Sequence, residues 1–246
     1  MRTMTLRILS ARVKLLARKI PVVGAAASRA YAVLRGRVEA TQLSSGSSAY
    51  WEGRYASGGN SGAGSYGKFA ELKAEVINGL VSEYHIRSVI EFGCGDGHQL
   101  TLAKYPEYLG FDVSPTAVSQ CLSRFEGDLT KSFRLLSDYG GEQADLALSL
   151  DVIYHLVEDE VFLAYMERLF ASARALVVIY SSNQDDGSGR DGAHIRHRQF
   201  SRWVAERAPD WVLTRQLANR YPYCGDATGG SFADFYVYAR KVGAKH

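Results

Sequence analysis

The sequence predicts a doubly wound α/β domain built on a seven-stranded, mostly parallel sheet. Three observations predict it. From residue 68 onward, short apolar runs alternate with longer stretches of helical periodicity. A glycine-rich loop, Glu91-Phe92-Gly93-Cys94-Gly95-Asp96-Gly97, follows the first of these runs. The second run closes on an acidic residue, Asp112. Strands that alternate with helices lie parallel, because a crossover helix returns the chain to the same edge of the sheet.

The elements follow in order. Residues 5–20 place Leu6, Leu9, Val13, Leu16 and Ile20 three or four apart. That spacing predicts a basic amphipathic helix, ended by Pro21. Residues 41–67 are rich in Ser, Gly and Tyr, as a linker is. They also carry Tyr50, Trp51, Arg54, Tyr55 and Tyr66. Linkers seldom hold such large aromatics, so the stretch is read as an ordered loop that closes over something. Helices are expected over 68–84, briefly after the glycine loop, and over 115–125, 158–170 and 198–208. The Ser114-Pro115 pair suits a helix start. Strands are expected over 87–92, 107–112, 132–137, 145–150 and 175–182, with a terminal pair over 212–219 and 231–241. The chain thus divides into a basic helical extension over 1–40, a lid over 41–67 and the main domain over 68–246.

Composition narrows the class. A chain of 246 residues with 46% apolar content supports one substantial core. No apolar run approaches the roughly 18 residues that cross a bilayer. The three cysteines (Cys94, Cys121, Cys224) are odd in number and lack metal-ligand spacing, so they read as reduced thiols of a cytoplasmic protein. Residues 1–38 hold nine basic and no acidic side chains, which leaves 20 basic against 26 acidic ones elsewhere. The main domain therefore lacks the basic field of a nucleic-acid binder, and nucleic acid is not expected as a partner. The N-terminal helix is read as a homodimer contact or a membrane-surface attachment. A cleaved targeting peptide fits less well, because its apolar stretch is short and broken by proline.

In open α/β sheets, ligands bind beyond the carboxyl ends of the strands, where the strand order reverses. The glycine loop and Asp112 stand at such ends. A carboxylate there can accept from both hydroxyls of a ribose. The spacing G-x-G-x-G differs from the dinucleotide pattern, whose third glycine position holds His98 here. Glu91 before the loop would repel a pyrophosphate but not a cation.

These stations resemble class I S-adenosylmethionine-dependent methyltransferases. Residues 91–97 are similar to the first motif of that family, and Leu109-Gly110-Phe111-Asp112-Val113-Ser114 to its ribose-binding second motif. Ser137-Asp138-Tyr139 resembles the third motif, and residues 144–155 resemble the fourth. The stretch from Tyr50 to Gly67 resembles a lid found in a subset of these enzymes. The resemblance implies a Rossmann-like class I methyltransferase fold with S-adenosylmethionine as cofactor. It implies that Gly93 and Gly95 approach the methionine portion and that Glu91 sits near its ammonium. Asp112, with Val113, would hold the ribose, and Asp138, with Tyr139, the adenine. The backbone at Leu150 would pass the methionine end. Arg54 would pair with the methionine carboxylate or with a surface acid. Tyr55 and Tyr66 would shield the sulfonium or pack.

A hydroxyl acceptor needs a base, and His155, just after the fourth strand, is the catalytic candidate. An imidazole with an ordinary pKa of about 6.5 suits that work; a structural hydrogen bond is the other reading. Asp151 lies too far before the next predicted helix to cap it, so it is read as orienting His155, touching substrate or sharing in a metal site. Tyr154 stands between them on the same rim. His194 and His197, after the fifth strand, are read as substrate contacts or as a solvated loop. With Asp185, Asp186 and Asp191 nearby, a divalent ion such as Mg2+ is a further reading, although no metal ligand is assigned. Tyr154, Tyr180, Trp203, Tyr221 and Tyr223 read as an aromatic rim suited to a saccharide. The whole pattern also resembles bacterial enzymes that methylate hydroxyls of sugars or polysaccharide precursors. O-methylation of such an acceptor is therefore the expectation. Methylation of a carboxylate or amine of a small metabolite is an alternative, and a non-catalytic cofactor-binding protein another.

Overall fold

Val, Ile, Leu and Phe dominate the central runs, as they do in strands buried on both faces. In the computed structural model, which describes residues 46–185, 194–225 and 229–241, these runs form one sheet. Its strands are β1 (Ser88–Phe92), β2 (Glu107–Asp112), β3 (Lys131–Leu135), β4 (Ala144–Leu150), β5 (Ala173–Ser181), β6 (Trp211–Leu217) and β7 (Asp234–Arg240). The order is β3-β2-β1-β4-β5-β7-β6. The first five strands run parallel, and β7 lies antiparallel between β5 and β6. The seven-stranded, mostly parallel expectation is met. The basic helix read over 5–20 lies outside the described residues.

The helices are α1 (Ser47–Ala56), α2 (Gly67–Glu83), α3 (Pro115–Arg124), α4 (Asp159–Ala171) and α5 (Phe200–Arg207). Side chains alternate across each strand, so each face has its own core. Val89, Leu146, Leu148 and Val178 pack with Leu72, Ile77 and Leu80 of α2 and Val118 of α3. Ile90, Phe92, Ala147 and Val177 pack with Phe162, Met166 and Leu169 of α4 and Phe200 and Val204 of α5. Trp203 belongs to this second core, 8% exposed, and not to an aromatic rim.

Two elements differ from expectation. The stretch read as a loop contains α1. Its Ser and Gly content disfavours a helix, but the burial of Tyr50 and Tyr55 outweighs that weak preference. The short helix expected after the glycine loop is a single 3-10 turn, Gln99–Leu102. Only nine residues separate Gly97 from Glu107. They must return the length of a strand, which an α-helix rising about 1.5 Å per residue would not span. Strand order reverses between β1 and β4, so a crevice opens where these strands end.

Candidate functional site

The crevice is a cavity of about 300 Å³. Its floor is the glycine loop. Gly93 (φ +93°) and Gly95 (φ +58°) hold left-handed backbone that other residues adopt only under strain. A Cβ on Gly93 would stand 2.5 Å from Val152 Cγ2, and one on Gly95 would overlap Ser61 Oγ. The amides of Gly93 and Cys94 both donate to the Phe111 carbonyl, at 2.7 and 3.1 Å. Asp112 braces the loop from β2: Oδ2 accepts from Gly95 N and Oδ1 from Ser114 N, both at 2.9 Å. Burial raises the Asp112 pKa to about 6, against the pull of those backbone amides. Glu91 is buried on the same wall and accepts from Tyr108 Oη at 2.6 Å. Burial lifts its pKa to about 7, opposed by that hydroxyl and by Lys73.

The segment read as a lid supplies another wall through Trp51, Tyr55, Ser61 and Ser65. Acidic residues hold it in place. Glu158 Oε1 accepts from Ser47 N at the start of α1, at 2.7 Å. Glu52 of α1 accepts from Ser114 Oγ at 2.5 Å, Thr116 Oγ1 at 2.7 Å and Thr116 N at 3.2 Å. It thus sits at the positive end of α3. Asp96 Oδ2 accepts from Ser61 N at 3.0 Å and Tyr66 Oη at 2.7 Å, tying the turn after α1 to the glycine loop.

At the end of β4, Asp151 takes a left-handed backbone (φ +59°). Its Oδ1 accepts from Tyr154 Oη at 2.7 Å, and its Oδ2 from Lys73 Nζ at 2.6 Å. Lys73, on α2, is 1% exposed and lies on the cavity wall; the sequence reading missed it. His155 also lines the cavity. Its ring meets Trp51 edge-on at 4.9 Å and stacks with His194 at 5.4 Å, which stacks in turn on Tyr50. Its Nδ1 lies 3.1 Å from the His194 carbonyl. A carbonyl only accepts, so Nδ1 carries the hydrogen and Nε2 keeps its lone pair. Burial drops the pKa of His155 to about 3, not the ordinary value expected from sequence.

The predicted site residues therefore divide. Tyr55, Glu91, Gly93, Gly95, Asp112, Val113, Leu150, Asp151 and His155 share the cavity. The others stand off its wall. Arg54 Nε donates to Asn60 O at 2.6 Å. Asp138 is exposed, and Leu136 occupies the wall beside it. Tyr139 packs edge-on against Phe92 and Phe111. Tyr154 Oη donates to Asp151, and the His194 ring stacks on His155. His197 is buried against Ser182 Oγ at 2.7 Å. The two histidines at 194 and 197 turn to different partners, since no helix places them on one face. Among the described residues, no group of three His, Cys, Asp or Glu side chains is arranged to hold a metal. None of the described helices is long and apolar enough to cross a membrane.

The family model for a methyltransferase domain matches residues 90–177. No curated protein matches the chain in sequence. Solved structures do match in fold. The methyltransferase domain of bacterial CtHen1-C is 20% identical, covering 69% of this chain and 97% of that one, with a TM-score of 0.54. Magnesium protoporphyrin IX methyltransferase from Synechocystis PCC 6803, with bound S-adenosylhomocysteine, is 18% identical, covering 70% and 83%, with a TM-score of 0.53. N-methyltransferase NodS from Bradyrhizobium japonicum WM9, also with S-adenosylhomocysteine, is 15% identical, covering 70% and 87%, with a TM-score of 0.55. Residues 90–177 thus resemble a methyltransferase domain, and the sheet has the Rossmann-like α/β fold of the class I methyltransferases.

Proposed function

We propose that the chain transfers a methyl group from S-adenosylmethionine to a hydroxyl of a sugar, glycoside or polysaccharide precursor. One observation carries the cofactor: Asp112 ends β2 with its carboxylate braced on Gly95 N, in one cavity with the buried Glu91. That wall fits a ribose diol beside an ammonium and a sulfonium. The structural relatives that hold S-adenosylhomocysteine support the same cofactor, while their names give unlike acceptors. Bound there, S-adenosylmethionine would supply the methyl group and a thioether leaving group.

The residues of this chain then orient the acceptor and take its proton. With that cofactor bound, the acceptor oxygen would gain the methyl group and the thioether would leave with the C–S electron pair. With Nδ1 turned to the His194 carbonyl, Nε2 of the cavity-lining His155 is the neutral acceptor left to receive the hydrogen bond of the hydroxyl. A weak base suffices there, because a hydroxyl oxygen that has gained a methyl group is far more acidic than an imidazolium. Trp51 offers a flat apolar surface for a sugar ring beside it. The low pKa of His155 also favours a second reading, methylation of a carboxylate, which needs no base.

Calorimetry with S-adenosylhomocysteine tests the cofactor, and methyl transfer to a panel of methyl glycosides tests the acceptor. His155→Ala should keep S-adenosylhomocysteine affinity within about twofold and lower glycoside turnover by about 10²-fold or more. Undiminished turnover would discard His155 and favour a carboxylate acceptor. Affinity should also depend on pH. The pKa values of Glu91 and Asp112 are raised in the free protein, to about 7 and about 6. An ammonium beside Glu91 and ribose hydroxyls donating to Asp112 stabilise the ionised forms, so binding releases protons. Affinity should therefore rise from pH 6 to pH 7.5 and level off above. A flat profile, or proton uptake measured in buffers of different ionisation enthalpy, would contradict this assignment.

A further inference from the structure

We infer that the Lys73 end of the cavity recognises the α-amino-acid part of the cofactor, with Gln99 Oε1 taking the ammonium and Lys73 the carboxylate. The inference rests on the S-adenosylmethionine reading and assigns two residues that the motifs do not include. Gln99 lines the cavity, and its Nε2 donates to the Ala70 carbonyl at 3.0 Å. A carbonyl only accepts, so that bond fixes the amide with Oε1 turned away from α2. Oε1 is buried and has no hydrogen-bond partner. Buried acceptors are almost always paired, so this one calls for a donor from a ligand.

Lys73 presents the complementary need. Its ammonium has three N–H groups, gives one to Asp151 at 2.6 Å, and lies 5.4 Å from the centre of the Tyr180 ring. Asp151 pairs its charge, and the remaining N–H groups are free to meet a second acceptor. Ala70 and Lys73 are one helical turn apart on α2, and Gln99 and Lys73 line the same cavity. Glu91 stands on the same wall as a second acceptor for an ammonium. A donor with hydrogens to spare and an orphaned acceptor in one cavity are the complement of a zwitterion. Asp151, with Tyr154 behind it, positions Lys73. Arg54, the carboxylate partner implied by family resemblance, is off this wall and bonded to Asn60.

Three ligands test it by calorimetry: S-adenosylhomocysteine, its decarboxylated analogue S-adenosyl-3-thiopropylamine, and 5′-methylthioadenosine, which lacks the amino-acid part. Lys73→Met leaves Asp151 without its cation and endangers folding, so the double variant Lys73→Met with Asp151→Asn is measured as well. In that double variant, S-adenosylhomocysteine should weaken by about 10- to 100-fold, while the decarboxylated analogue and 5′-methylthioadenosine stay within about twofold. Gln99→Leu should weaken both amine-bearing ligands by about 10-fold and leave 5′-methylthioadenosine unchanged. Parallel weakening of all three ligands, or no weakening, overturns the inference and leaves the cofactor reading standing. Failure of S-adenosylhomocysteine to bind the intact protein overturns the cofactor reading itself, and this inference with it.

Discussion

Asp112→Ala is expected to weaken S-adenosylhomocysteine binding by about 10²-fold or more while leaving the chain folded. The carboxylate does two things at once. It braces Gly95 N and Ser114 N, at 2.9 Å each, and it faces the cavity where ribose hydroxyls would donate. Hydrogen bonds to a charged group contribute about 1.5–3 kcal/mol each, so losing two from the ligand accounts for the expected loss. Folding should survive, because burial already penalises the ionised form of this group in the empty protein. Asp112→Asn separates the parts: it keeps the size, removes the charge, and should fall between the wild type and Ala. Calorimetry gives the affinities and a thermal melt gives the stability. Near-wild-type affinity in Asp112→Ala would move the ribose elsewhere and reopen the identity of the ligand.

Gly95→Val is expected to abolish binding and to destabilise the chain. Two costs add. The left-handed backbone at φ +58° costs a non-glycine residue about 1–2 kcal/mol, and a β-branched one more. The new Cβ would also overlap Ser61 Oγ and stand 3.0 Å from Tyr55 Oη, both on the segment that closes the cavity. That segment has to give way, and with it the contacts of Ser61 and Tyr66 on Asp96. A fall of several degrees in melting temperature should accompany the loss of S-adenosylhomocysteine binding. A Gly95→Val chain that still bound the ligand would show that the segment is free to move off the loop at little cost.

How far each residue could be read beforehand follows from where its evidence lies. The glycine loop, Asp112 and the end of β4 carry local signals: glycines at fixed spacing after an apolar run, and an acid closing the next run. His155 was found by its place after β4, but its lowered pKa was not, because the rings that bury it come from α1 and from residue 194. Trp203, inside a predicted helix, read as rim and proved to be core, since periodicity alone does not say which core a helix covers. Lys73 left one signal that was passed over: it stands on the apolar stripe of Phe69, Ile77 and Leu80 in α2, where a charged residue is out of place. Gln99 left none, because its meaning depends on a carbonyl 29 residues away.

The sequence by itself determined the order of the strands and of the longer helices after residue 67, the parallel sheet, and the loop and acid that line the cavity. Those depend on repeats of two and three to four residues and on backbone freedom at single glycines, which are local properties. Only the tertiary structure decided which side chains share the wall, that α1 folds at all, and that Glu91 and Asp112 hold their protons more tightly while His155 holds its own more weakly. Those depend on desolvation and on contacts between distant parts of the chain, and no local pattern records either.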